Sequence, residues 1–287
     1  MSTSPTALKR WIAGELTRLR ERSGHTRAEA AKAIHGSIQN LGHFEVGRRM
    51  PKALELETLL RLYGAPERVE FFLSLRERAR RGADWWVRFD SEEALPEYLK
   101  LFLGVEVMAA RIDSWDTHLV PGLFQTESYA NALVRGGAPK LRKRDRDRRV
   151  ELRMARQREV LGGEASPAVH AVISEAALRA INGGPEVQRG QLERLLELGA
   201  KPNIEIQVLP FHAGLHTGAD GPFMLLTFPS EFGPDVGTAY VENRVEVVYY
   251  EEPSAVAPFR EAIEQLKSKA LKTSDSSVLI KRIFEEI

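Results

Sequence analysis

The 287-residue chain contains no cysteine. That excludes disulfides, thiolate zinc sites and a cysteine nucleophile, and it fits a reducing, cytoplasmic setting. No apolar run approaches the ~20 residues that cross a bilayer. The opening MSTSPTALKRW lacks the apolar core of a secretory signal, so no membrane association is expected. Internal repeats and low-complexity tracts are missing too. GGPEVQRG is not a phosphate-cradling loop, and there is no G-x-S-x-G elbow. The paired carboxylates Glu251-Glu252 fall at a strand end, where exposure is expected rather than catalysis. Neither an enzyme nor a cofactor or metal is therefore expected.

Hydrophobic residues make up 43% of the chain and charged ones 28%, a balance that argues against disorder. The length allows two domains. The net charge of +1 conceals a split. Residues 1–82 carry 16 Lys and Arg against 9 Asp and Glu, a net +7, and the remainder carries 25 against 31, a net −6. A basic head on an acidic body suits a polyanion-binding module joined to something else.

The most informative stretch is residues 24–52, GHTRAEAAKAIHGSIQNLGHFEVGRRMPK. Thr26 and Glu29 have capping-box spacing, and a short alanine-rich helix follows until His35-Gly36 breaks it. Ser37 can cap a second helix in which Ile38, Leu41 and Phe44 form an apolar face. Gly47 ends that helix, and Arg48, Arg49 and Lys52 follow. Two helices this short are not stable alone, and a small-residue face lets one cross the other closely. A DNA-binding helix-turn-helix has this form: one helix braces on the backbone and the next enters the major groove. Ser37, Gln39, Asn40 and His43 are the polar positions of the second helix, and Gln or Asn can pair bidentately with adenine. The alternative is a surface helix pair in some other helical domain.

This stretch resembles the helix-turn-helix of the XRE/Cro/repressor family, with Thr26, Ala31, Ser37, Leu41, Phe44 and Glu45-Val46-Gly47-Arg48 at the matching positions. The resemblance implies base contacts from Arg27, Ile38, Gln39 and His43, and phosphate contacts near Arg48 and Arg49. Three positions depart from the pattern. Arg27 replaces the usual glutamine and would favour guanine or phosphate, Ala30 replaces a leucine, and His35-Gly36 replaces Gly-Val in the turn.

The rest of the chain reads as follows. Helices are expected over 6–23 and 54–62 and from Pro66 onward, giving a five-helix domain over 1–82. Arg76, Arg78, Arg80 and Arg81 end the last helix, as a polar linker or as contacts to DNA flanks. Residues 83–95 read as a hinge, with Trp85 and Trp86 each packing on one domain or, less favoured, stacking on a ligand. From 96 to 287 helices and strands mix. Residues 141–161 form a charged helix with Val150, Leu152, Met154 and Val160 as its sparse apolar face, the arginines read as solvated and laced by i,i+4 pairs in preference to a second DNA patch. Strands are expected at 169–174, 204–210, 223–228, 237–242 and 245–251, with another around 110–115. The spacing of the last three suggests a small antiparallel meander, so the fold class is α+β.

The phrases VPGLFQTESYANAL, ELRMARQ, ISEAALR, QLERLL, IQVLPFHAGLH and VYYEE resemble the C-terminal domain of actinobacterial Scr-type antitoxin-like regulators. That resemblance implies a small partner protein encoded by an adjacent gene. His212 and His216 lie four apart near Asp220, but Gly214 and Pro210 argue for a loop. A metal there is disfavoured against a ligand- or partner-binding loop or a plain structural one. The expectation is a sequence-specific, homodimeric regulator bound to double-stranded DNA, whose C-terminal domain takes a small partner protein or ligand. The alternative is an antitoxin-like protein that mainly sequesters its partner and binds DNA for autoregulation.

Overall fold

The computed structural model describes residues 4–89, 95–163, 166–233, 236–243 and 246–287. Residues 90–94 of the expected hinge, and residue 245 of the last expected strand, lie outside the described residues. The chain forms two units: residues 4–88 with 100–105, and residues 89, 95–99 and those described from 106 onward.

The first unit is helical: α1 (Pro5–Arg22), α2 (Arg27–Ala33), α3 (Ile38–Glu45), α4 (Ala53–Leu62) and α5 (Val69–Arg81). Ser4 caps α1, Thr26 and Glu29 form a complete capping box on α2, and Ser37 caps α3. Leu8, Ile12, Leu16 and Leu19 of α1 are buried, as are Leu56, Leu59 and Leu60 of α4. Asp84 accepts hydrogen bonds from Ser4 Oγ and Thr6 Oγ1, fastening the start of α1 to the segment after α5. Of the basic residues ending α5, Arg76 donates to the Pro51 carbonyl at 2.8 Å, while Arg80 and Arg81 pair with Glu77 one turn back. Trp85 and Trp86 meet edge to face, 5.7 Å apart, with Trp86 buried against Gly104 of this same unit.

Three helices of this unit end in a left-handed glycine: Gly24 after α1, Gly47 after α3 and Gly64 after α4. The equivalent place after α2 is held by His35, at φ 51°. Its N–H donates to Lys32 O, and Gly36 N–H donates to Ala31 O, completing a Schellman closure. Histidine tolerates this region better than bulky residues do, but it still carries a steric cost that glycine lacks.

The second unit is a six-stranded mixed sheet with helices around it. Its strands are β1 (Arg111–Asp116), β2 (Ala168–Ser174), β3 (Ile204–Leu209), β4 (Phe223–Thr227), β5 (Gly237–Glu242) and β6 (Val247–Tyr250), in the order β3-β2-β1-β4-β5-β6. Strands β1, β2 and β3 are parallel, whereas β4, β5 and β6 run antiparallel from β1 outward. The expected small antiparallel sheet is thus corrected. Only the β4–β6 half is a meander. The other half is built from crossovers: α7 (Glu127–Gly137) and α8 (Lys143–Leu161) join β1 to β2, and α9 (Glu175–Arg179) and α10 (Pro185–Gly199) join β2 to β3. Parallel neighbours need such long helical connections. The helix α6 (Glu97–Met108) precedes β1, and α11 (Pro253–Lys269) and α12 (Thr273–Glu286) end the chain.

Strand alternation gives the sheet two unlike faces. Trp115, Val172, Leu209, Phe223, Leu225 and Ala239 pack against Val256, Ile263 and Leu266 of α11. Burial of each large side chain there contributes about 1.5–3 kcal/mol. On the same face Asp113 is buried beneath Arg111, which holds it through two bonds of 2.8 Å, and Lys267 Nζ at 2.6 Å. These cations hold its carboxyl below the usual range against the opposing effect of burial. The other face carries Ser114, Asp116, Tyr240 and Glu242.

Two stability outcomes follow from these close fits. His35→Gly should stabilise the helical unit by about 0.5–1 kcal/mol, the relieved strain less the extra chain entropy of glycine. Denaturant unfolding measures it, and a loss of stability would mean that His35 makes contacts outweighing its strain. A Cβ at Gly218 would lie 2.3 Å from Nε1 of the fully buried Trp115. Gly218→Ala should therefore cost about 1–3 kcal/mol in the second unit and blue- or red-shift its tryptophan emission.

Candidate nucleic-acid interface

The geometry of the helix-turn-helix is set from inside. Ala30 and Ala31 of α2 are buried, and Leu41 and Phe44 of α3 are each 1% exposed. Glu45, at the end of α3, has a side chain only 2% exposed. Arg20 Nε of α1 donates to one of its oxygens at 2.5 Å, and Arg27 Nε of α2 donates to the other at 2.6 Å. Arg20 also donates to the His25 carbonyl in the connecting loop, at 3.2 Å. The bond to Glu45 is the main reason the Arg20 guanidinium is held above its ordinary pKa. Gly47 then turns the chain against Ala13 and Lys9 of α1. Sequence reasoning had noted Glu45 as a motif letter; its burial against two arginines is what positions the helix.

With that side fixed, the opposite edge of α3 is open. Ser37, Ile38, Gln39, Arg48, Arg49 and Lys52 are exposed, and Asn40 and His43 are half-buried. Ile38 does not join Leu41 and Phe44 as the apolar spacing suggested: it is 55% exposed. It is the first residue of α3, and its side chain leans toward the helix N-terminus, off the buried stripe. The Ser37 hydroxyl is engaged as the cap, accepting from Asn40 N–H at 3.1 Å. Asn40 Oδ1 accepts from Arg49 Nη1 at 3.0 Å, and Arg49 also lies over the Phe44 ring. Arg49 thus braces the helix as well as charging it. Lys52 is the N-cap of α4, its N–H donating to the Glu55 carboxylate at 2.6 Å. Arg27 is tied to Glu45 by Nε, yet its side chain remains 53% exposed. No side-chain hydrogen bond or ion pair within the described residues engages Gln39 or Arg48. The edge therefore offers hydrogen-bonding side chains for base edges beside cations for phosphates.

Of the remaining expected positions, Trp85 and Trp86 lie in the first unit, and His212 and His216 lie in the second. His216 Nδ1 accepts from Gly218 N–H at 3.1 Å, and its ring lies edge-on to Trp115. His212, in the turn Phe211–Ala213, and Asp220 are exposed. No group of three or more His, Cys, Asp or Glu among the described residues could hold a metal. Among them, too, no helix is long and apolar enough to cross a membrane.

The expected apolar face of α8 is buried at Val150, Leu152 and Val160, with Met154 half-buried, but its arginines are not all solvated as expected. Arg156 makes two bonds of 2.6 Å to Glu106, whose side chain is 0% exposed. Arg153 Nη1 donates to Gln125 Oε1 at 2.6 Å, and Gln157 Nε2 donates to the carbonyls of Gly122 and Gln125. The physical reason is Glu106, a lone carboxylate in the apolar run LFLGVEVM, which requires a buried cation. That lone charge was the signal in the sequence that one face of α8 turns inward.

Residues 11–71 match the model of a helix-turn-helix domain, which suggests a DNA-binding regulator. No curated protein and no solved structure matches the chain. Residues 99–282 match a second model, described as a domain of unknown function (DUF5753). That match spans well over half of the molecule, including the whole six-stranded sheet, and the chain belongs to this DUF5753 family.

Proposed function

We propose that the protein is a sequence-specific transcriptional regulator that binds double-stranded DNA through α3. The observation that carries this reading is the open edge of α3, with Gln39 and Arg48 unengaged beside a buried Glu45 that fixes the helix. The basic charge of residues 1–82 supports it, because phosphate contacts supply most of the affinity in such complexes. One helix of this length covers few base pairs. Specific binding therefore calls for a homodimer on a near-palindrome with half-sites about one DNA turn apart. The second unit, far larger than a tether requires, takes a small partner protein or a ligand that changes DNA affinity. The resemblance to Scr-type antitoxin-like regulators supports a partner encoded by an adjacent gene. The His212–His216 loop of the second unit is the place proposed for it, with Trp85-Trp86 of the first unit as a second candidate. Of these, the exposed His212 suits a partner better than His216, whose ring and Nδ1 are occupied.

Retention of genomic fragments, with and without the neighbouring gene product, identifies the operator and tests the reading. On that operator, Gln39→Ala should cost about 1–3 kcal/mol and relax preference at one base position. Unchanged discrimination would remove α3 as the reader. Arg48→Ala should weaken all sequences alike and flatten the salt dependence by about one unit of slope, measured by titration at several salt concentrations.

A further inference from the structure

The two edges of the six-stranded sheet are finished differently. The β3 edge is closed by its own chain: Val208 N–H donates to Ser276 Oγ and the Val208 carbonyl accepts from Leu271 N–H, each at 2.9 Å. At the other edge, no described strand lies beyond β6. The side chains of β6 are anchored on both faces of the sheet. Tyr250 packs on Phe259 of α11, with ring centroids 5.0 Å apart, on the face that α11 covers. The Tyr249 ring lies 5.4 Å from that of Tyr240, and its hydroxyl donates to the Tyr98 carbonyl at 3.0 Å. The strand is therefore held in place while the main-chain N–H and C=O groups of alternate residues point away from β5. The usual guards of such an edge are lysine, proline or a bulge. The run Val247-Val248-Tyr249-Tyr250 has no lysine or proline, and its register with β5 is unbroken. Acidic groups flank it instead. Residues 242–252 hold four Glu against one Arg, and Glu242, Glu246, Glu251 and Glu252 are all exposed.

We propose that β6 is a docking edge for an extended segment of a partner protein that carries Lys or Arg on either side of a short apolar run. Such a segment adds a strand to the sheet, with main-chain bonds supplying the affinity. Only four residues of β6 are on offer, so the charged flanks decide which segment is held. A second copy of this chain suits the edge less well. Antiparallel pairing of these four residues with the same four of another copy would set Glu246 of each against Glu251 of the other, and like charges directly opposite are unfavourable. The inference rests on the reading that the second unit takes a partner protein, and it gives that partner a surface apart from the His212–His216 loop.

The test is the fluorescence anisotropy of a labelled peptide titrated with the full chain in the absence of DNA. The peptide repeats Val-Thr three times between two terminal lysines. One control carries glutamates in place of the lysines, and another is N-methylated on every Val and Thr. The lysine peptide should bind saturably and about tenfold more tightly than the glutamate peptide. The N-methylated copy has the same charge but no N–H to offer along its length, and it should not bind. Glu246→Lys combined with Glu252→Lys should weaken the lysine peptide about tenfold and strengthen the glutamate peptide. Glu186→Lys combined with Glu193→Lys makes an equal change of charge at exposed positions of α10 and should leave both affinities as they were. Failure of the lysine peptide to bind, equal binding of the N-methylated copy, or equal effects of the two pairs of substitutions overturns the proposal. So does a homodimer, seen by sedimentation velocity, that the lysine peptide dissociates, because a second copy is then the occupant. With no DNA present, indifference to the peptide leaves operator reading by α3 standing. Loss of operator reading would equally leave the peptide result intact.

Discussion

The helix-turn-helix depends on one carboxylate. Helix α3 has eight residues, too few to persist by its own hydrogen bonds, so its position must come from packing. Leu41 and Phe44 supply the apolar anchor, but apolar contact alone leaves rotation and sliding loosely specified. Glu45 removes that freedom. Its two oxygens are taken by arginines from two different helices, and Arg20 also reaches the loop at His25. The carboxylate thereby ties α1, α2 and α3 to one another. Its desolvation makes the net contribution to stability small, whereas leaving either partner alone costs about 3–5 kcal/mol. The pair therefore acts through geometry, and the open edge of α3 is a consequence of the buried one.

The same side chain links the interior to the interface. Arg27 stands where the family pattern has glutamine, and it spends one nitrogen on Glu45 while about half of its surface stays in solvent. Its freedom to reach outward is thus limited by the bond that fixes α3. Arg49 behaves alike, bridging Asn40 and Phe44 from the loop. Two of the residues expected to contact DNA thus hold the frame, while Gln39 and Arg48 have no side-chain partner among the described residues and carry the discrimination and charge of the function proposed above. The division is economical because a group held in place by the protein loses less freedom on binding.

Much of this was legible in the sequence, because the signals were local. The caps at Thr26 and Ser37, the stops at Gly24 and Gly47, and the strands at Val169–Ile173 and Ile204–Leu209 depend on neighbours within a few residues. What could not be read depends on distant partners. The direction of β2 relative to β1 is decided by how α7 and α8 fold back, and alternation within a strand carries no information about it. Ile38 satisfied a helical spacing but sits at the first position of α3, where the apolar stripe has not yet begun. The inward turn of Arg153 and Arg156 was masked by the abundance of arginine in α8. Charge density marks a solvated helix unless a carboxylate elsewhere demands a buried cation, and here Glu106 does.

The pattern of compensation separates residues that build the protein from those that serve it. The five buried carboxylates among the described residues are Glu15, Glu45, Glu106, Asp113 and Glu175, and each has an arginine or lysine against it. That regularity is expected, since an unpaired carboxylate in the interior would instead take up a proton. Asp116, which lacks a cation in contact, shows that behaviour, with its carboxyl raised to about 7. Arginine has no comparable escape: even at about 10 it remains charged at neutral pH. Half-buried Arg153 therefore keeps its charge beside the Gln125 amide, whereas the buried carboxylates of this fold are neutralised by pairing.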